Sequence, residues 1–420
     1  MKNLVCQGIA LSLGILCLVN FLPSADFNLT GYYKTFLVIF DPPHYETTGV
    51  SPFPERLMGQ VNNRLRLNFQ LQLQKNISLS LAYAFSPRIQ DQQFFQQPLL
   101  IPGLELFNYR VVDFKRQLYP SESTTEASVG FFHNLDRAFF SLRLGKVDLY
   151  VGRQAIAWGN SRVISPTDII APFTFEELDR EYRVGVDAVR IRIPLGLMGE
   201  VDGGWIFGRN FNLKRSAAFL RTKFYLAKTD IAVLLLDFQN NLLLGLDLTR
   251  ALGGAGFWVE GAYVLVKTLA IDFEGEKKNY LRLTIGTDYS FRNGFYVFCE
   301  YHYSGAGVRE PRDYLQVLSR PGVSEGAVYL LGQHYLIPGF SYPLTPLLNL
   351  TAQALINLTD PSLFLAPQVE YNIAENVYLS GGAFISLGRN PQIGNYLQPV
   401  FRSEFGSYPH IFFTSFRVYF

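Results

Sequence analysis

Between Arg64 and Gln74 apolar and polar residues alternate without a break. Leu65, Leu67, Phe69, Leu71 and Leu73 fall on one parity; Arg64, Arg66, Asn68, Gln70, Gln72 and Gln74 fall on the other. A period of two over this length predicts a strand with one wet face and one dry face. A tilted strand of about 9–11 residues is also what crosses a bilayer. The scheme recurs with Arg190 and Arg192 between Val189, Ile191 and Ile193, and with Arg221 and Lys223 beside Leu220, Phe224 and Leu226. It recurs again with Arg282, Thr284 and Asp288 beside Leu281, Leu283 and Ile285. The polar parity must meet water, so the apolar parity is predicted to meet lipid. His410 to Phe420 keeps the same rhythm, with Phe412, Thr414, Phe416, Val418 and Phe420 on one face and Ser415, Arg417 and Tyr419 on the other. An apolar edge strand invites aggregation in water, whereas a closed membrane barrel leaves no edge.

The connections predicted between these strands alternate in length. Short turns are expected at Lys75-Asn76, Gly145-Lys146, Pro194 to Met198, Ala227-Lys228, Ala251 to Gly254, Arg292 to Gly294, Tyr342 to Thr345 and Ala374 to Asn376. The other connections are mostly longer: Asp41 to Glu55, Pro87 to Asp136, Gly159 to Gly185, Arg209 to Arg215, Thr268 to Lys278, Ser304 to Gly326 and Gly388 to Pro409. Two more, near Gln239-Asn241 and Thr359-Ser362, are short. Outer-membrane barrels show this parity, with short periplasmic turns and longer extracellular loops. The expected fold is therefore all-β: one transmembrane antiparallel β-barrel of about 18 strands with both termini in the periplasm. The count falls to about 16 if the weak segment Lys146 to Arg153 is not a strand. No repeat beyond the hairpin rhythm and no linker divides residues 26–420. About 18 strands at roughly 11 residues each take about half of that chain. The rest fits turns and loops, with no room for the plug domain of an energised transporter.

Composition changes the picture little. The chain is 48% hydrophobic, 15% aromatic and 17% charged, against roughly 25% charged in ordinary soluble domains. Thirty-six Phe and twenty-four Tyr suit strands bounded by aromatic girdles. Lys2, the apolar run Leu4 to Leu22 and Pro23-Ser24-Ala25 read as a secretory signal cleaved after Ala25. Cys6 and Cys17 fall within it, which leaves Cys299 without an internal disulfide partner. A formal charge of +2 offers no field that would recruit nucleic acid.

The densest polar stretch runs from Gly152 to Asp187. It begins as a strand and leaves the sheet at Gly159. Pro166, Asp168 and Pro172 supply turn chemistry. The candidate constriction residues are Arg162, Asp168, Glu176, Glu177, Asp179, Arg180, Glu181 and Arg183. Two readings stay open: a solvated outer loop whose charges pair with one another, or a loop folded into the lumen whose opposed charges select solutes. The candidate pore-lining residues are Arg64, Arg66, Arg190, Arg192, Arg221, Lys223, Arg282, Asp288 and Glu300. Six of the cations would form a positive wall and a mild anion preference, unless acids lie at the same height.

Two resemblances bear on this reading. The alternating final strand ending on Phe420 resembles the terminal-Phe assembly signal of bacterial outer-membrane barrels. The run Gly152-Arg153-Gln154, Trp158-Gly159, Arg162, Pro166, Asp168, Pro172-Phe173, Tyr182-Arg183 and Gly185-Val186-Asp187-Ala188 resembles one in poorly characterised porin-like outer-membrane barrels, themselves loosely similar to alginate-export barrels. The likeness covers about 40 residues and implies a channel without naming its solute. Alginate export would call for an arginine-rich pore, and this chain is nearly neutral.

No catalytic motif surrounds His44, His133, His302, His334 or His410, and no cluster has zinc spacing. Glu300 and His302 share a parity and read as ordinary water-facing residues. No enzyme activity, cofactor or metal is expected. The sequence reads as a passive outer-membrane channel of a diderm bacterium for small or medium polar solutes. Its expected surroundings are membrane lipid, lipopolysaccharide and the barrel-assembly machinery. The alternative is a non-conducting barrel acting as adhesin, assembly partner or hydrolase.

Overall fold

The computed structural model describes residues 26–46, 54–96, 109–121, 127–270, 274–275, 277–320, 322–394 and 399–420. The expected signal segment lies outside the described residues. Eighteen strands form one wall. The first six are β1 (Asp26–Asp41), β2 (Met58–Gln74), β3 (Ile77–Gln90), β4 (Val129–Leu144), β5 (Val147–Gln154) and β6 (Val186–Leu195). Next come β7 (Gly199–Ile206), β8 (Ala217–Leu226), β9 (Thr229–Phe238), β10 (Asn241–Leu252), β11 (Ala255–Leu265) and β12 (Tyr280–Ser290). The wall ends with β13 (Tyr296–Ser304), β14 (His334–Thr345), β15 (Leu348–Asn357), β16 (Ser362–Ala374), β17 (Val377–Leu387) and β18 (His410–Tyr419).

Each strand pairs antiparallel with its sequence neighbours, and β18 returns to β1 with Val418 opposite Tyr33. Beyond β18, Phe420 and Gly31 exchange backbone hydrogen bonds of 3.0 and 2.8 Å. Closure gives every strand two partners, which is what lets a sheet sit in hydrocarbon. The segment Lys146 to Arg153 is a wall strand, so the count is eighteen and not sixteen.

Short turns gather at one end, the turn end, with both termini of the wall. Seven of the nine loop-end connections are longer. Two boundaries differ from the sequence reading. The turn expected at Tyr342 to Thr345 is Pro346-Leu347, and Pro343 lies inside β14 at a register shift. A bulge tolerates the missing N–H that a regular ladder would not. The loop expected over Pro87 to Asp136 is shorter, because the β3–β4 ladder runs on to Ile89 opposite Val129. That ladder slips at Asp136, so Asp136 and Arg137 both reach inner-face partners.

The outer face carries exposed Leu65, Ile191, Leu220, Phe224, Ile285, Phe412 and Phe416. The inner face is polar near the turn end and apolar near the loop end. β9 shows the change: Val233 and Leu235 are exposed outside, while Leu234, Leu236 and Phe238 are buried inside. Segments returning from the loops cover that apolar inner face. One cluster joins Ile156, Trp158, Ile169 and Ile170 to the inner sides of β6–β11. A second packs Ile164, Phe175, Tyr329, Leu330, Phe405 and Tyr408 on β1 and β14–β18.

A charge on the outer face at mid-depth should cost about 2–4 kcal/mol. Leu235→Arg is expected to lower unfolding stability in bilayers by that amount, while Gln70→Arg on the inner face changes it little. Denaturant titration into lipid vesicles measures both, and equal costs would mean the faces are reversed.

Candidate functional site

The chain leaves β5 after Gln154 and returns at β6, and residues 155–185 run inside the barrel. Gly159 makes the entry possible. Its φ is +96°, and a Cβ there would lie 2.1 Å from Ser165 Oγ and 2.6 Å from Glu260 Oε1. Only glycine combines that backbone conformation with so close an approach.

Glu260, on the inner face of β11, is fully buried. Its Oε1 accepts from Ser165 Oγ (2.6 Å), Thr167 N (3.0 Å) and Thr167 Oγ1 (2.7 Å). Its Oε2 accepts from Asn160 N (3.1 Å), Ser161 N (3.0 Å) and Ser161 Oγ (2.7 Å). Glu300 on β13 is equally buried and accepts from the Arg162 and Val163 N–H groups and from Trp258 Nε1 at 3.0 Å. No cation bonds to either carboxylate among the described residues. Backbone N–H groups and hydroxyls take the place of a counter-ion. Gly286 leaves room for the Trp258 indole, since a Cβ there would lie 2.2 Å from the ring.

Further contacts fix the same turn of chain. Arg162 donates to Asp288 (2.7 Å), Asn160 to Asp247 (2.6 Å), and Arg282 to the Pro166 carbonyl (3.3 Å). The Thr284 hydroxyl donates to the Ile164 carbonyl (2.9 Å) and lies 2.8 Å from His302 Nδ1. Glu300 and His302 therefore lie buried beneath the inward segment and do not face water, contrary to the sequence reading.

The far half of the segment meets the opposite wall. Asp179 pairs with Lys34 of β1 and Arg64 of β2, both at 2.9 Å. Glu181 takes Lys34 and the Tyr419 hydroxyl as partners. Tyr182 lies between the Tyr32 ring, stacked at 6.0 Å, and the Arg66 guanidinium at 4.1 Å. Arg183 reaches Asp168 at 2.6 Å and lies over the Phe173 ring. Arg180 donates to the Phe175 carbonyl, and Glu177 N–H to the Thr174 carbonyl.

Most of the cations expected to line the wall are not bare. Arg66 pairs with Asp136 at 2.7 Å, and Arg190 meets Asp202 through two bonds of 2.8 and 2.6 Å. Arg192 pairs with Glu200, and Lys223 with Asp230 at 3.2 Å. Arg221 makes no ion pair among the described residues, and Arg192, Arg221 and Lys223 make no hydrogen bond to the inward segment. Sequence reasoning missed Glu260, Lys34, Asp136, Asp202 and Tyr182. Glu260 carried a signal nonetheless, as the one acid in the apolar run from Ala255 to Leu265.

Four loop carboxyls are displaced toward neutrality. Burial pushes Glu176 up to about 8, helped by nearby Glu404. Burial takes Glu404 to about 7 against the bonds from Tyr335 and Leu331 N–H. It takes Glu177 to about 7 as well, against Arg180. Asp168 reaches about 7 for the same reason, since neither of its oxygens accepts a well-aligned hydrogen bond from Arg183. Burial also works to raise Asp179, but Lys34 and Arg64 hold it below its ordinary value.

Comparison with known proteins bears on the fold. No protein-family model matches the chain, and no curated protein matches it. Solved structures do. Acinetobacter baumannii OccAB2 is 8% identical with a TM-score of 0.56, over 94% of this chain and 98% of its own. Pseudomonas aeruginosa OccK8 (OprE) is 9% identical with a TM-score of 0.55, over the same 94% and 98%. Pseudomonas aeruginosa OccK2 (OpdF) in complex with glucuronate is 9% identical with a TM-score of 0.51, again over 94% and 98%. These are Occ/OprD outer-membrane porins. The chain shares their fold.

The raised carboxyls carry a pH dependence with a definite sign. A group whose carboxyl is raised in the packed state stabilises that state fully below its ordinary value, and the contribution is lost as pH rises through the shifted one. Packing of 174–183 against 403–408 should therefore loosen progressively between about pH 4 and about pH 8. Amide exchange of peptides from these two segments, corrected for intrinsic rates, should speed up across that interval, and less so in Glu176→Gln. Flat protection would contradict it.

Proposed function

We propose that the chain is a passive outer-membrane channel for small polar solutes, with residues 155–185 as its constriction. The observation that carries this reading is the inward segment itself. It crosses the lumen of a closed barrel, with one half bound to β10–β13 and the other to β1 and β2. Its tip still leaves space on both sides. A cavity of about 310 Å³ lies toward Gln368, Ser380, Ser415 and Arg417, and one of about 230 Å³ toward Asn28, Thr30, Gln70 and Ser80. Crossed acids and bases at a narrow point act on passing solutes through their field and through their hydrogen-bonding groups.

The assigned roles follow from position. Glu300, Arg282 and Asp288 hold the constriction, and Asp179, Glu181 and Tyr182 form its tip. Arg64 and Arg66 are the wall beneath it. Arg190, Arg192, Arg221 and Lys223 line the lumen away from the tip. Membrane lipid, lipopolysaccharide and the barrel-assembly machinery are the proposed surroundings in a diderm outer membrane. Kinship with alginate-export barrels rests on the motif from Gly152 to Ala188 alone. The apolar packing near the loop end favours a second reading, a barrel too full to conduct.

Planar-bilayer recording separates the two. The channel reading expects discrete conductance steps from the purified protein, and larger steps from Glu260→Gln. An amide cannot accept at both ends, so that variant loses part of its six-bond anchor. A folded barrel that never conducts would establish the second reading. Steps unchanged in Glu260→Gln would mean that 155–185 does not set the pore.

A further inference from the structure

We propose that the rim between β7 and β8 is a docking site for a phosphorylated lipid of the outer leaflet, with lipid A, the membrane anchor of lipopolysaccharide, as its occupant. Over residues 207–216 the backbone is tied down. Ser216 Oγ accepts from Gly208 N (3.0 Å) and donates to the Asn212 carbonyl (2.8 Å), and Asn212 Oδ1 accepts from Lys214 N (3.0 Å). Asn210 N–H donates to the Val111 carbonyl (2.9 Å), and Gln239 N–H to the Ser216 carbonyl (3.1 Å). A Cβ on Gly208 would lie 2.5 Å from the Arg215 carbonyl oxygen, so the loop closes tightly on itself. The side chains are not tied down. Arg209, Phe211, Leu213, Lys214 and Arg215 are all exposed. The three cations make no ion pair and no side-chain hydrogen bond among the described residues, and no acid lies between Phe207 and Ser216. Neighbouring carboxylates are already taken: Asp187 binds Arg153 (2.7 Å), and Asp113 pairs with Arg110 (2.9 Å), Arg153 (3.1 Å) and Arg116 (3.2 Å). Asp237, opposite Ala218 on the adjoining ladder, offsets one charge at most. A positive excess therefore stays on a fixed loop.

Position selects the class of partner. Trp205 is exposed on the outer face at the end of β7, and the Phe207 and Phe211 rings meet edge-on at 5.4 Å just beyond it. Aromatic side chains so placed mark the level where hydrocarbon gives way to headgroups. The cations follow directly on that belt, with exposed Phe211, Leu213 and Val112 as apolar surface on the same rim. A soluble anion would use the cations alone, whereas a lipid uses both. Guanidinium groups meet phosphate oxygens through paired N–H donors, and the lysine adds a point charge. Basic clusters at a membrane surface attract anionic lipids. Three cations within seven residues suit a headgroup with more than one phosphate, and lipid A carries phosphate at both ends of its sugar core. A loop that is already ordered binds without the entropy loss of ordering it.

Native mass spectrometry of the full mature protein, released from micelles containing lipid A or its dephosphorylated form, tests the site. The wild type should retain lipid A several-fold better than the dephosphorylated lipid. Arg209→Gln, Lys214→Gln and Arg215→Gln together should abolish that preference. Phe211→Ser with Leu213→Ser should weaken retention of lipid A. Arg309→Gln with Arg312→Gln, on another loop of the same end, should leave it unchanged. Heat-modifiable migration on gels shows that each variant is folded. Wild-type retention by the folded triple variant would overturn the proposal, and so would equal retention of the two lipids by the wild type. Inorganic pyrophosphate that binds as tightly as lipid A would overturn it in favour of a soluble anion. A barrel that never conducts would remove the channel reading and leave this site standing, since it does not use the lumen.

Discussion

The interior of this barrel is organised by a demand that Glu260 and Glu300 make on the chain around them. A carboxylate buried without a cation is tolerated only when enough N–H and O–H groups point at it. Glu260 collects six such groups from Asn160, Ser161, Ser165 and Thr167, and Glu300 collects the Arg162 and Val163 N–H groups and the Trp258 indole. The segment gains as well, because a loop inside a barrel has backbone groups that must find partners. Each side thereby satisfies the other. Gly159 and Gly286 supply the close approaches that the arrangement needs.

The two halves of the segment are held by different chemistry. Residues 160–167 depend on backbone N–H and hydroxyl donors aimed at Glu260 and Glu300, with Arg162 paired to Asp288 beside them. Residues 174–183 depend on ion pairs at Asp179 and on aromatic packing around Phe175, whose ring meets Phe364, Tyr329, Phe405 and Tyr408. Beside that packing stand Glu176 and Glu404, whose burial favours their neutral forms. The first half acts as a fixed foot and the second as the more responsive tip. Local stability differs between them for identifiable reasons.

The wall was legible in the sequence because lipid imposes one rule on every outer face. Alternation at Arg64 to Gln74 and at His410 to Phe420 reports that rule, and so does the spacing of the turns. The inner face obeys no single rule. Where loops cover it, as along Ile231 to Phe238, both parities become apolar and the period of two disappears. The inward segment showed itself only as a dense polar stretch, and its charges gave no hint of which wall each would meet. Asp136 was hidden by a bulge, since parity counts fail by one residue across it. Pairing of Arg190 with Asp202 depends on cross-strand register, which neither strand carries alone. Five of the six cations read from parity pair with acids that parity alone did not reveal.

Thr167 and Gly245 offer the most direct measurement of the central claim. A Cβ placed on Gly245 of β10 would lie 3.0 Å from Thr167 Cγ2, so side chains at the two positions meet. In a Cys299→Ser background, Thr167→Cys with Gly245→Cys should form a disulfide in the folded barrel. The oxidised protein should conduct as the reduced one does, because the bond fixes the segment where Glu260 already holds it. Failure to oxidise in a folded barrel, or a change in conductance when the bond is made, would show that the segment does not rest against this wall.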